Sequence, residues 1–197
     1  MKYFFLPFFI FLFGCTKTET TTPQDTLPPI TQVGANTAGC IINGKVLIPK
    51  NGATSFSGTP YGLNINAGIH FNQPIIGGDY WQLEIANKKD QDSAGIVLWI
   101  KNMSAGINNY QIDQSNGELY AYGPNNNQII AGITENGINK TYYSSSNSGI
   151  IKITRFDHTN GIYSGTFNCS LHNKDNPSDI IQVTDGRFDI KIATLNH

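Results

Sequence analysis

Asn-Gly recurs five times in this chain, at 43–44, 51–52, 116–117, 136–137 and 160–161, and Gly77-Gly78 and Asp185-Gly186 add two dipeptides of the same kind. Asn, Asp and Gly accept the left-handed backbone at the centre of tight hairpin turns, so this punctuation confines the chain to short antiparallel segments. The stretches between the turns agree with it. Trp81, Leu83 and Ile85 alternate with Gln82, Glu84 and Ala86, the period of a half-buried strand. Ile151, Ile153 and Arg155 alternate less cleanly with Lys152, Thr154 and Phe156. Ile96 to Ile100 is apolar throughout and reads as a central strand; residues 163–171 and 180–193 supply C-terminal strands. No segment shows three helical turns with proper ends, and twenty-two Asn and twenty Gly oppose long helices. About eight to eleven short strands predict an all-β domain. A single antiparallel β-sandwich is the expected form, with a closed or partly open β-barrel as the alternative.

The N-terminus has another texture. Met1-Lys2 is followed by an almost purely apolar run, Tyr3 to Phe13, interrupted only by Pro7. That run is shorter than the ~20 residues a membrane span needs and reads as a secretory signal peptide, residues 1–14. It closes on Leu12-Phe13-Gly14-Cys15, which looks like a bacterial lipobox, with Cys15 the lipidated residue of the mature chain. Residues 16–32, rich in Thr and Pro and without aromatics, cannot bury enough surface to offset their ordering entropy. Residues 15–35 are therefore read as a disordered tether, and 36–197 as one domain. The mature chain carries 12 basic and 14 acidic residues, with no basic footprint for a nucleic acid.

Both ends of the domain carry motifs. Gly34-Ala35-Asn36-Thr37-Ala38-Gly39-Cys40-Ile41-Ile42-Asn43-Gly44-Lys45 opens it, and Ser164-Gly165-Thr166-Phe167 and Thr184-Asp185-Gly186-Arg187-Phe188-Asp189 close it. The pattern resembles a Bacteroidota-type lipoprotein family of unknown function, whose members carry GANTFGC and NGK after a lipobox and tether, then SGTF and T-x-GRFD. Ala38 stands where that family has an aromatic residue. The resemblance implies a lipoprotein of the cell envelope with a β-rich domain and brings no activity with it. Read from the residues alone, Asn43-Gly44 and Asp185-Gly186 are turns, Phe188 and Ile190 face the core, and Gly165 marks a bulge or a close backbone approach.

Candidate chemistry is sparse. Cys40 and Cys169 form an even pair in an exported chain and invite a disulfide, worth roughly 4–5 kcal/mol in the chain-entropy model; two separate buried thiols are the other reading. His70, His158, His172 and His197 have no metal-ligand spacing. Asp90-Gln91-Asp92-Ser93-Ala94-Gly95 starts like a calcium loop, but Lys101 stands where the closing acid belongs, so a solvated hairpin loop is expected. No cofactor or metal is implied. Serine-nucleophile motifs are absent; the serines gather in expected loops such as Ser144-Ser145-Ser146. Asp79, Glu84, Asp113 and Glu118 are conceivable members of a hydrolytic carboxylate pair. Tyr110, Tyr120, Tyr122, Tyr142 and Tyr143 are candidate binding aromatics, with Tyr120 and Tyr122 on one strand face. Thr26 and Ser93 lie in Asp-Thr/Ser-aliphatic triplets that resemble an O-glycosylation pattern. The sequence thus points to an envelope protein held by its lipid, most simply at the outer membrane on an undecided side. Its domain is expected to bind a protein or glycan partner without catalysis. A polysaccharide hydrolase and a structural envelope component are the alternatives.

Overall fold

The computed structural model describes residues 25–68, 79–119, 123–124 and 126–196. The signal peptide, Cys15, His70, Gly77-Gly78, Tyr120, Tyr122 and His197 lie outside them. Among the described residues ten strands follow one another: β1 (Thr37–Ile42), β2 (Lys45–Leu47), β3 (Leu63–Ala67), β4 (Tyr80–Ala86), β5 (Ala94–Lys101), β6 (Asn109–Ile112), β7 (Gln128–Glu135), β8 (Ile138–Asp157), β9 (Ile162–Asn173) and β10 (Ile180–Lys191). They form one antiparallel sheet in the order β2-β1-β10-β9-β8-β7-β5-β4-β3, with β6 paired to β8.

The fold is all-β, and of the two expected architectures it takes the partly open barrel: one curled sheet instead of two stacked ones. The bend comes from irregularities in the longest strands. Between Ser144 and Gly149, β8 shifts register against β9; β10 shifts between Val183 and Gly186, and β1 between Gly39 and Ile41. Extra residues on one strand sharpen local twist and let a sheet curl onto itself. The curling brings Trp81 of β4 against β9 and β10, its ring 5.4 Å from Phe188 and 6.1 Å from Tyr163. Trp81, Leu83, Ile85, Ile96, Leu98, Ile100, Ile151 and Ile153 are all completely buried, as the alternation in β4, β5 and β8 requires. Each such side chain contributes roughly 1.5–3 kcal/mol.

Three expectations change. Asp185-Gly186 is no turn but the bulge inside β10, with Asp185 at φ 52 and Gly186 opposite Phe167. Phe188 and Ile190 do enter the core beyond it. Ser144 to Ser146 lies within β8, where the bulge absorbs a polar run without breaking the strand. Asn43-Gly44 and Asn136-Gly137 are hairpin turns with both φ angles positive. Asn51-Gly52 lies in a longer connection between β2 and β3.

The largest departure concerns residues 25–35. Expected as tether, they instead run along the outer surface of the sheet. Asp189, 2 % exposed, holds them there. Its carboxylate accepts hydrogen bonds from Thr31 Oγ1 (2.6 Å), from the N–H groups of Val33 (2.9 Å), Gly34 (2.8 Å) and Ala35 (3.2 Å), and from Ser164 Oγ (2.7 Å). Burial opposes ionisation of Asp189, but the bonds from Thr31, Ser164, Gly34 and Ala35 outweigh it and hold the carboxyl below its ordinary range. Asn36, at φ 54, accepts from Lys191 N–H (2.7 Å) and donates to Thr194 Oγ1 (2.9 Å). Arg187 and Arg155 donate to the carbonyls of Pro28 and Gln32. The two terminal motifs therefore meet in space, as a latch that ties the start of the domain to its last strand. Composition alone misses it because one buried acceptor, 154 to 158 positions away, satisfies backbone and hydroxyl groups that the segment itself leaves open.

Candidate functional site

Four connections lie at the same end of the barrel: the Asn43-Gly44 turn, the Asn136-Gly137 turn, the β4–β5 loop and the β9–β10 loop. The register requires it, because Ile42 pairs with Val183, Ala94 with Ile133, and Tyr142 with Asn173. Inside this mouth is a cleft of about 740 Å³. Barrel mouths are a preferred place for ligand sites, and this volume falls in their usual range.

The floor is apolar. Ile42, Leu47, Ile133 and Ile181 line it from β1, β2, β7 and β10, with the ring of Tyr142 from β8. Ile138 stands 64 % exposed at the entrance. Ile138, Lys140 and Tyr142 share the inner face of β8 because alternate residues of a strand point the same way. The rim is charged. Lys45 of β2 reaches Glu135 of β7 across the opening, Nζ to Oε1 2.5 Å, with side chains 78 % and 54 % exposed. Hydrogen bonding and charge attraction between the two raise the Lys45 pKa and lower that of Glu135, so both stay ionised. An ion pair this exposed contributes little to stability and is easily displaced. On the other side Lys140 reaches Asp179 (3.0 Å), which also accepts from Tyr142 Oη and Asn173 Nδ2, each at 3.2 Å. The hydrogen bond from Lys140 leads in holding the Asp179 carboxyl below its ordinary range. Asp92 accepts the Asn136 N–H (2.9 Å) and fixes the β7–β8 turn.

Of the binding aromatics read from the sequence, the three among the described residues, Tyr110, Tyr142 and Tyr143, do not assemble. Tyr142 lines the mouth, but Tyr143 points to the other face, where its ring lies edge-on to His172 at 6.4 Å. Tyr110 is 6 % exposed and donates to the Gly106 carbonyl (2.9 Å). Neighbours on a strand must face opposite ways, so closeness in sequence could not make a platform. Three of the four conceivable hydrolytic carboxylates are engaged by other groups, Asp113 by the Gln114 N–H (2.8 Å). Asp79 accepts from Ser104, and Glu84 pairs with Lys88 (2.9 Å) and accepts from Asn64 (2.9 Å). Asp90 engages Asn87 and Lys50 instead of a calcium-like set, and no three His, Cys, Asp or Glu side chains gather among the described residues.

Cys40 and Cys169 are buried, unbonded thiols. They sit on β1 and β9 with β10 between them. Two strand spacings come to roughly 9–10 Å, beyond the ~7 Å that a disulfide spans between Cα atoms. Burial pushes both thiols up, Cys40 to about 12. Thr26 is exposed; Ser93 is half-buried, its backbone paired both ways with Thr134.

Lys45, Glu135, Ile133, Ile138 and Ile181 were not legible as site residues. Their signal was present, since they flank two recognised turns and the start of β10, but only the barrel shows that these stand at one end. Comparison of the chain with protein-family models, with curated proteins and with solved structures finds no match.

Proposed function

We propose that this chain is a lipid-anchored envelope protein, held through Cys15 at the outer membrane, whose barrel binds a segment of a protein partner at its mouth. The observation that carries this reading is the cleft itself: an isoleucine-rich floor under a rim closed by an exposed, displaceable Lys45–Glu135 pair. An apolar side chain of a partner would fill the floor, and charged groups beside it would exchange with the rim. The rim charges are paired acid to base and held in their ordinary ionised states, which suits recognition. Of the two expected partner classes a protein fits better, because sugars favour aromatic platforms and, among the described residues, Tyr142 is the one aromatic ring lining this cleft.

The test is photo-crosslinking in living cells from a reactive residue placed at 138, with position 160 at the opposite end of the barrel as control. A defined adduct from 138, lost when Ile133→Asp or Lys45→Glu is added and never formed from 160, is the expected result. Equal labelling from both positions, or an adduct indifferent to those substitutions, refutes the mouth as the binding site.

A further inference from the structure

Between β2 and β3 the chain makes a projecting excursion with a locked base. Lys50 N–H donates to the Ala86 carbonyl (3.0 Å), Lys88 N–H to that of Lys50 (2.9 Å), and Gly52 N–H to that of Pro60 (3.0 Å). Gly62 N–H donates to Asn51 Oδ1 (2.9 Å). The tip is equally built. Ser55 and Gly58 exchange backbone hydrogen bonds, both 3.0 Å, and the hydroxyls of Thr54 and Thr59 meet at 2.8 Å. On this tip stands Phe56, 110 % exposed, the most exposed large apolar side chain among the described residues. No residue from 51 to 62 is charged. The turn's own hydrogen bonds present this one aromatic ring to water within a neutral, hydroxyl-rich loop, an arrangement compatible with shallow entry into an interfacial apolar layer.

The course of the chain says which surface. Asp25 pairs with Lys50 at 2.7 Å, so the polypeptide arrives from its N-terminus at the base of this same loop. Cys15 lies ten residues earlier, at most roughly 35 Å away when extended. Asp25 and Asn87 also line the mouth, which puts the base of the loop, the first described residue and the cleft at one end of the barrel.

We infer that the 51–60 loop is a membrane contact: Phe56 enters the interfacial layer of the bilayer that carries the Cys15 lipid and turns the mouth toward that bilayer. The inference rests on acylation of Cys15, part of the function proposed above. Burying one aromatic ring is worth roughly one to two powers of ten in an equilibrium, too little to hold a free protein. The tether makes the step intramolecular, and at the resulting effective concentration such a contact is occupied. Phe is among the side chains that interfacial elements bury at this depth.

The experiment uses the full, acylated chain reconstituted into phosphatidylethanolamine/phosphatidylglycerol vesicles, with plain or brominated acyl chains. Phe56→Trp supplies the reporter, and the wild-type chain, whose Trp81 and Trp99 are 0 % and 7 % exposed, supplies the background. Brominated lipid is expected to remove most of the emission added by the Phe56→Trp substitution and to leave the wild-type signal unchanged. Flotation of wild-type and Cys15→Ser protein with the same vesicles reads the anchor separately. Floating protein whose added emission ignores the bromine overturns the loop contact alone, including the case in which Phe56 instead serves a protein partner. Wild-type protein that fails to float overturns the anchor and the contact with it.

Discussion

Replacing Asp189 with Ala should release residues 25–35 from the barrel at a large cost in stability. The carboxylate accepts five hydrogen bonds at 2.6–3.2 Å from a position 2 % exposed. Hydrogen bonds to an ionised group contribute about 1.5–3 kcal/mol each, but the five do not add. Once the acceptor is gone, the segment can lift and return its three amides to water. The loss is then limited to the docking free energy of the latch plus the stranded Ser164 hydroxyl. About 3–5 kcal/mol is expected, the scale seen when one partner of a buried charged network is removed. Asp189→Asn, which keeps the shape and one acceptor oxygen, should lose about half of that. Urea denaturation at pH 7 gives the energies; hydrogen exchange at the amides of Val33, Gly34 and Ala35 locates the change, since these should exchange as in free peptide. The pH dependence provides an internal check. The folded pKa of Asp189 lies below its unfolded value, so its stabilisation is complete above about pH 4 and is lost as pH falls through the folded pKa. The gap between wild type and Asp189→Asn should therefore close on acidification. A loss under about 0.5 kcal/mol for Asp189→Ala, or unchanged protection of the three amides, refutes the latch.

Two further outcomes follow from local geometry. Gly186→Ala should lower the melting temperature more than Gly44→Ala. A Cβ at 186 would lie 2.5 Å from the Phe167 ring and carbonyl oxygen, whereas at 44 it would meet open space and cost only the positive φ, about 1–2 kcal/mol. Equal losses would refute the close approach at the β10 bulge. Cys40 and Cys169 should resist a thiol reagent in the native protein and both react in denaturant without any reductant; a denatured chain that stays unlabelled until reduced would mean they are bonded.

Much of the fold was readable from local rules. The Asn-Gly turns at 43–44 and 136–137, the alternation in β4 and the apolar run of β5 each express backbone sterics or a two-residue period, which act over a few neighbours. The same rules misread Asp185-Gly186, because a left-handed residue serves a bulge as well as a turn and only the partner strand distinguishes them. They also set the domain start too late, since what orders residues 25–35 is Asp189. The candidate site lay further from view: Lys45 and Glu135 are 90 positions apart and unremarkable in their own segments.

The sequence by itself determined that the chain is built of short antiparallel strands, which residues turn the hairpins, and which side of each strand is apolar. Those properties belong to single residues and their nearest neighbours. Only the tertiary structure decided that the sheet curls into one open barrel, that its two terminal motifs close a latch, and that four connections share one mouth. These depend on strand register and accumulated twist, where a shift of one residue or one bulge reassigns every contact between distant segments.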